Sequence, residues 1–565
     1  DSTNRVWYLG GNISVSGDYH EIKKKFIEMG FTNVFPKPVS FQEILSAVNQ
    51  DLQRLVIHKK ERADWVKKPS ACVSRSELED ISDAKWSRER LSAERRVVLS
   101  EWKTGRSINP LTASSVQPEP KKNLDAVLWE AKMNRRLPLL QPRTGVADVS
   151  EQIEILQYLE QKGSDVASVQ LDAASRSKLY AKAEEGVNQS RSRKVSVLNG
   201  FPVPVHGVEG VRKIVDSVGV PFQLRAGGPD HRFVYEIALQ AGVPAVEGGF
   251  ICYLFPYDKT TRLTDSLRNW QYVDRLCAWY MEHTGISINR EYFGTLTANL
   301  IEPAIAIVVN LVQSVLSARQ GARSISVGYA EQGNRSQDIA AIDVMEQLTC
   351  SYLAKYGMAD CRVTTVYHQY MAAFPRDEVK AEQLIHQSAI TAALAHATKM
   401  MTKSPVEAFK IPSKEENARG LQISRQGRLA AAIQKRDEAA IDVERWLIKR
   451  EVIELMDVIE ECGNGSLARG TIVAFQNGYF DIPFSPHNLN RNEVVTLRDS
   501  NGAVRFAAFA NLPLSDEVKD FHFRRIEERK KRERDSNLFS LLEKDLSRIW
   551  KNDYQSWPLD QTYIW

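Results

Sequence analysis

"SISVGYAEQGNRSQDIAAIDVMEQLTCSYLAKYGMADCRVTTVYH", residues 324–368, holds the repeating unit from which the fold is read. Two β-rich runs, 324–330 and 362–368, flank a helical segment at 336–357. Strand, helix, strand is a βα unit, and its crossover makes the two strands parallel. Working outward, similar runs recur at "PLLQP" (138–142), "ASVQLD" (167–172), "VSVLNG" (195–200), "FQLRAG" (222–227), "AVEGG" (245–249), "SINRE" (287–291) and "KMMTKS" (399–404). Helical stretches such as "DHRFVYEIALQAG" separate most of them. About eight such units in roughly 270 residues predict an α/β protein built as a (β/α)8 TIM barrel. The runs exceed the barrel's strands by one.

The chain's opening has a different character. "RVWYLGGNISVSGDYHEIKKKFIEMGFTNVFPKP" (5–38) reads as strand, glycine turn, amphipathic helix, short strand and Pro-rich exit. That is the closing part of an α/β nucleotide- or cofactor-binding unit, here residues 1–54. Residues 55–84 are polar, mixed in charge and without clear period, and are expected to form a linker. A charged helix at 87–102 then opens a catalytic region running over 85–565, barrel with N- and C-terminal extensions.

Composition bounds the function. A net charge of +4 over 565 residues gives no argument for nucleic-acid or membrane affinity. The six Cys form no CxxC pair, so neither a zinc knuckle nor a disulfide framework is expected. The most apolar helix, around 304–316, is short of the ~20 residues a membrane span needs. A cytoplasmic protein is the expectation.

Chemistry in such a barrel gathers at the C-terminal ends of the strands. There stand Arg143, Asn199, Arg225, Glu247, Glu331, His368 and Lys403. Strand ends meet water, so some charge collects there in any barrel. Several of these residues, however, sit in tight Gly or Pro turns: "QPRTG", "LNGFP", "LRAGGP", "VEGGF". Three arginines, Arg143, Arg176 and Arg225, suit a dicarboxylate, because guanidinium grips carboxylate in a planar two-bond fork. Glu247, followed by two glycines, is placed to accept a proton or a hydrogen bond from a substrate ammonium. Tyr253 and Tyr257 offer hydroxyl donors, or pack as core and rim. GxxxxGK[ST], HExxH and GxSxG are all absent, so NTP hydrolysis, zinc proteolysis and serine-hydrolase chemistry have no support. No metal-ligand set and no activated nucleophile is evident, so the hard step needs a cofactor.

The motifs "LLQPRTGVAD", "SVLNGFPVPVHGVEGVRKI", "FQLRAGGPDHR", "VEGGFICYLFPY", "INREYFGTLTANL", "VTTVYHQYMAAFPRDE" and "GTIVAFQNGYFDIPFSPHNLN" resemble the large catalytic subunit of glutamate mutase (methylaspartate mutase). The resemblance runs from about Asp83 to Lys530. The opening stretch resembles the end of the family's small cobalamin-binding subunit, with Gly10-Gly11-Asn12 at its late glycine turn. The chain therefore looks like a fusion that begins inside the small subunit. The family's cobalt-ligating Asp-x-His-x-x-Gly motif is not in this sequence, and His20 is read as a surface residue. That ligand is expected from an earlier part of the same chain or from a separate small subunit.

The resemblance implies a barrel capped by a Rossmann-like cobalamin domain, paired barrels, and adenosylcobalamin (coenzyme B12) as cofactor. It implies a radical carbon-skeleton rearrangement of L-glutamate to L-threo-3-methylaspartate. Carried over by position, Arg143, Arg176 and Arg225 look like the substrate's arginine claw, Glu247 like the base at its amino group, and Tyr253 and Tyr257 like the rest of the substrate pocket. Gly145, Asn199, Pro256 and Phe374 match cofactor-touching positions. Lys403, Glu407 and Ile411 match positions around the adenosyl group. From the residues alone, Lys403 and Glu407 read as an i, i+4 surface ion pair at a helix start, and Phe374 and Ile411 as core. Ala226 stands where the family usually has His, and Gln170 where it tends to have a small hydroxyl residue. A related diacid is therefore open as substrate. Open too are a cobalamin-free barrel lyase and a non-catalytic partner subunit, against which the cofactor-facing positions and the intact claw weigh.

Overall fold

A parallel strand has unpaired backbone groups on both edges, and eight of them satisfy each other by closing into a ring. The computed structural model describes residues 6–11, 19–36, 39, 41–54, 73–113, 120–293 and 299–549. Near the N-terminus, β1 (Tyr8–Gly11) and β2 (Asn33–Pro36) pair in parallel, with helices Tyr19–Glu28 and Phe41–Arg54 following them. Asn12 of the glycine turn lies outside the described residues, and His20 is exposed.

The ring consists of β3 (Leu139–Gln141), β4 (Ala167–Gln170), β5 (Phe222–Arg225), β6 (Ala245–Glu247), β7 (Asn289–Phe293), β8 (Ser324–Ala330), β9 (Arg362–His368) and β10 (Lys399–Met401). All neighbours run parallel and follow chain order, with β10 beside β3. A Thr144–Val169 bridge, with the Gln170 amide donating to the Thr144 carbonyl at 2.8 Å, closes β3 onto β4. The quoted stretch holds β8, helix Arg335–Lys355 and β9. Asn334 caps that helix by accepting from the Gln337 amide.

The run at 195–200 is not a strand. Lys194 takes φ +54° and ends helix Tyr180–Arg193; the chain then crosses to helix Val203–Ser217. Val195 and Val197 are 58% and 38% exposed. Their alternation with polar residues mimics a strand, but the closed ring leaves no edge for a ninth.

Residues 75–79 form a short helix within the stretch expected to be linker, capped by Ser74. Val73 and Ile81 are buried in the main core, and Asp83 accepts from the Leu467 and Ala468 amides and the Ser466 hydroxyl. Helix Pro303–Gln320 is buried all round except at Arg319, because the barrel lies on one side and helices Glu438–Gly463 and Leu467–Asn477 on the other. The chain then makes an antiparallel hairpin, β11 (Val495–Arg498) and β12 (Val504–Ala508), and ends in helices Asp516–Glu533 and Leu538–Ser547. Among the described residues, no helix is long and apolar enough to cross a membrane.

Barrel interiors are commonly filled by branched apolar side chains. Here Gln141, Gln223, Glu247, Glu291 and Lys399 are all fully buried. Burying so much polarity is tolerable only where every group finds a partner, and these partners define the site.

Candidate functional site

The C-terminal ends of the barrel strands enclose about 410 Å³ of empty space, open mouth included. Arg143, Arg225, Tyr253, Tyr257, His368 and Lys403 are among the residues lining it. Register sets their level. Gln170 pairs with Arg225, Leu224 with Val246, and Glu247 with Glu291, so Arg225, Glu247 and Glu291 stand side by side on β5, β6 and β7.

Arg225 is the hub of this layer. Its Nη2 donates to Glu247 Oε1 at 3.0 Å and its Nη1 to Glu291 Oε1 at 2.8 Å. Lys399 Nζ and Gln223 Nε2 both donate to Glu291 Oε2, the latter at 2.9 Å. Burial would push the Glu291 carboxyl up, but Lys399 and Arg225 outweigh it and hold it at about 2, so Glu291 is a fixed anion. Glu247 is different. Burial pushes it up to about 7, opposed by Arg225 and assisted by the neighbouring Glu291 charge. Two carboxylates beside one guanidinium cannot be equally satisfied, and the one without a lysine carries the mobile proton.

Tyr253 donates its hydroxyl to Glu247 Oε2, and Tyr235 donates to the Glu247 carbonyl. Tyr253 reaches back because Gly248 carries no side chain: at φ +117°, a Cβ there would overlap the rings of Tyr253 and Trp270. This is the local reason for glycine after Glu247.

Nearer the mouth, Arg143 Nη2 lies 3.4 Å from Glu407 Oε2, which also accepts from Lys403 Nζ at 2.9 Å. Burial, and then the Arg143 charge, lower Lys403 to about 8. Lys403 and Glu407 are a largely buried pair, with side chains 7% and 20% exposed, rather than a surface one. Their i, i+4 spacing is realised in a turn, with the Phe409 amide donating to the Val406 carbonyl at 2.9 Å; the helix starts only at Lys414. Arg176 stands outside the cavity lining. Its guanidinium and the Tyr257 ring both come within 4 Å of the position a Gly227 Cβ would take, and its buried Nε has no hydrogen-bond partner. Tyr257 is 48% exposed and packs edge-on against Tyr253, ring centres 5.6 Å apart.

The remaining positions divide. Asn199 is exposed, and its Oδ1 accepts from the Ala173 amide at the start of helix Ala173–Arg176. Pro256 is half-buried beside Tyr257. Phe374 is buried in a satellite core with Tyr370, Leu384 and Ile423, 5.8 Å from Lys403 Nζ. Ile411 is 45% exposed, not core. Glu331 turns away from the cavity to accept from the Tyr370 amide and the Ser388 hydroxyl. Gly145 backs onto Gly200: a Cβ at 145 would lie 2.8 Å from Gly200 Cα. Gly145→Ala should therefore destabilise the protein by about 1–3 kcal/mol by prying the two mouth loops apart. Chemical denaturation checks this; an unchanged midpoint would show that the loops yield freely.

Sequence reasoning missed Glu291 and Lys399. Each lies inside a β-rich run, and a charge within a barrel strand is itself a signal, because half of the positions there face the interior. His368 was read as a strand-end residue; it is buried, lines the cavity and packs edge-on against Phe293 at 4.2 Å. Burial, then the charges of Arg225, Lys399, Arg143 and Lys403, lower its pKa far below the ordinary value, so the ring is neutral.

Fold and cavity together define a (β/α)8-barrel protein whose mouth gathers cations around a buried, titratable acid. The profile of the family described as "Methylaspartate mutase E chain (MutE)" matches residues 118–553. The glutamate mutase epsilon subunit of Desulfitobacterium hafniense (strain Y51) is 40% identical over 478 residues, 84% of this chain and 98% of that protein. The Haloarcula marismortui protein of the same name is 40% identical over 451 residues, covering 79% and 91%. The one from Escherichia coli O157:H7 is 37% identical over 475 residues, covering 83% and 98%. A solved 3-deoxy-D-arabino-heptulosonate 7-phosphate synthase from Thermotoga maritima, in truncated form, aligns at a TM-score of 0.29 and 12% identity over 52% of this chain and 87% of its own, and carries no weight. This chain belongs to the methylaspartate mutase E chain family. It is by that membership an isomerase.

Proposed function

We propose that this chain is the catalytic part of an adenosylcobalamin-dependent mutase that interconverts L-glutamate and L-threo-3-methylaspartate, or a closely related dicarboxylate. One observation carries the reading. Arg143, Arg176, Arg225, Lys399 and Lys403 cluster in and around one cavity against three carboxylates, Glu247, Glu291 and Glu407. An excess of two positive charges suits a ligand with two carboxylates. The arginines grip the carboxylates through two-bond forks. Tyr257 supplies a hydroxyl at the rim. Glu247, poised near neutrality, accepts from the substrate's ammonium and takes up or returns a proton there.

The residues at the mouth fit adenosylcobalamin in kind. The Lys403–Glu407 pair offers a donor and an acceptor to ribose hydroxyls, Asn199 offers an exposed amide, and the exposed Ile411 and half-buried Pro256 offer apolar surface to a large ring. Gly145 lets the adjacent loops lie flat beneath it. When bound, the cofactor supplies the radical that removes and returns a substrate hydrogen. The protein's own residues hold the diacid in one orientation and exclude water from it. Residues 1–54 are read as the end of a cobalamin-binding domain, and the corrin's remaining contacts come from a small subunit or from an earlier part of the chain.

Reconstitution tests this. The chain, a complete small subunit, adenosylcobalamin and L-glutamate should together yield 3-methylaspartate by NMR, with none formed when any component is omitted. Turnover of a different diacid alone would move the substrate and keep the mechanism. No turnover of any diacid with all components present would end the proposal.

A further inference from the structure

The turn that carries Tyr253, Pro256 and Tyr257 is held from outside the barrel. After Glu247 the chain runs through residues 248–262 before helix Leu263–Thr284 begins. Barrel residues anchor its start: Gln313 Oε1 accepts from the Ile251 and Cys252 amides, and the Ser266 hydroxyl donates to the Phe250 carbonyl. Its second half has carbonyls pointing away from the barrel. Those are met by the loop that follows helix Leu467–Asn477. The Ser485 hydroxyl donates to the Phe255 carbonyl at 2.7 Å. The Asn488 amide donates to the Lys259 carbonyl at 2.9 Å. His487 Nε2 reaches the Thr261 carbonyl at 2.8 Å. The Phe255 ring, fully buried, is stacked on Phe475 at 4.1 Å and tilted against the His487 ring at 4.8 Å.

The loop is rigid in its own right. Asp481 accepts from the Asn492, Glu493 and Val494 amides, and Asn490 bonds both the amide and the carbonyl of Ile482. The Leu489 amide donates to His487 Nδ1 at 3.1 Å, so the ring's proton is on Nε2 and is directed at Thr261. Phe484 takes φ +64°, a conformation that a bulky side chain enters at a cost and that these bonds hold. None of residues 481–494 lines the cavity.

We propose that the 481–494 loop is a clamp on the tyrosine turn, and that His487 is a positioning residue for Tyr257 and Tyr253, acting through Thr261 and Phe255 without touching substrate. The inference rests on the reading that those tyrosines meet the diacid. A turn anchored at one end only would let the half-exposed Tyr257 drift, and an ångström there weakens the grip on the ligand more than it slows a bound one.

His487→Ala, His487→Gln and Ser485→Ala are compared in the reconstituted holoenzyme, with hydrogen exchange of peptides spanning 250–262 followed by mass spectrometry. Gln keeps a donor for the Thr261 carbonyl. Expected for His487→Ala is faster exchange confined to that turn and a KM for the diacid raised roughly tenfold with kcat within about threefold. Ser485→Ala should do the same to a smaller degree, and His487→Gln should restore most of both. Unchanged exchange in 250–262 overturns the clamp. Faster exchange with KM unchanged, in an enzyme that turns over normally, overturns the positioning role. If all versions, wild type included, fail to turn over any diacid, the functional reading has failed instead, and the exchange result still decides the clamp. A variant that melts globally is set aside for Ser485→Ala, whose smaller side-chain loss leaves the core stacking in place.

Discussion

Arg225→Lys should lower kcat/KM roughly a hundred- to a few thousand-fold, the equivalent of the ~3–5 kcal/mol typical of breaking a buried, hydrogen-bonded charge pair. The charge is conserved, so the effect isolates geometry. One guanidinium face serves Glu247 and Glu291 on two different strands. An ammonium is a point donor on a flexible stem and cannot hold both carboxylates and still offer a planar fork to a ligand. It would settle on one carboxylate and leave the other buried without its partner. The loss should fall on both KM and kcat, because Arg225 binds the diacid and holds Glu247 in place. Steady-state kinetics of the reconstituted enzyme check this; rates within threefold of wild type would remove Arg225 from the site.

Glu247→Gln should cost roughly 10²–10⁴ in kcat/KM, the range for losing a positioned general base, and should change the shape of the pH profile. With the Glu247 carboxyl pushed up to about 7 by burial, against the pull of Arg225, kcat/KM of the wild type should rise through pH 7 as the carboxylate forms. The Gln variant should have no such limb. Stability runs the opposite way. A carboxyl whose folded pKa lies above the ordinary 4.5 favours the folded state while protonated. That stabilisation is complete below 4.5 and is lost as pH rises through about 7. Measured against the Gln variant, the wild type should therefore lose thermal stability between those limits. A flat difference in melting temperature across that window would show that Glu247 is ionised throughout and that Arg225 outweighs burial.

Much of the barrel could be read from local pattern. Strands and helices alternate with enough apolar contrast that eight of nine β-rich runs correspond to barrel strands. The exception, 195–200, shows the limit of that signal. Alternation reports a face that is half apolar; it does not report whether an unpaired edge exists to receive it. The strand-end polar residues were legible for the same reason, since each follows directly on a run. Of these, Arg143, Arg225, His368 and Lys403 do line one cavity, while Glu331 turns toward Ser388 and Asn199 caps a helix.

What the amino-acid order determined by itself is the alternation of elements, the position of each strand's end, and the need for glycine at turns such as Gly248. Those follow from short-range sterics and the period of apolar residues. What only the tertiary structure decided is which charges share a partner. Glu247 and Glu291 lie 44 positions apart and Lys399 another 108 beyond, yet register brings all three onto one guanidinium–ammonium layer. The split between a fixed anion at about 2 and a titrating one at about 7 arises only there, because Coulomb attraction inside a barrel depends on distances that chain separation does not encode.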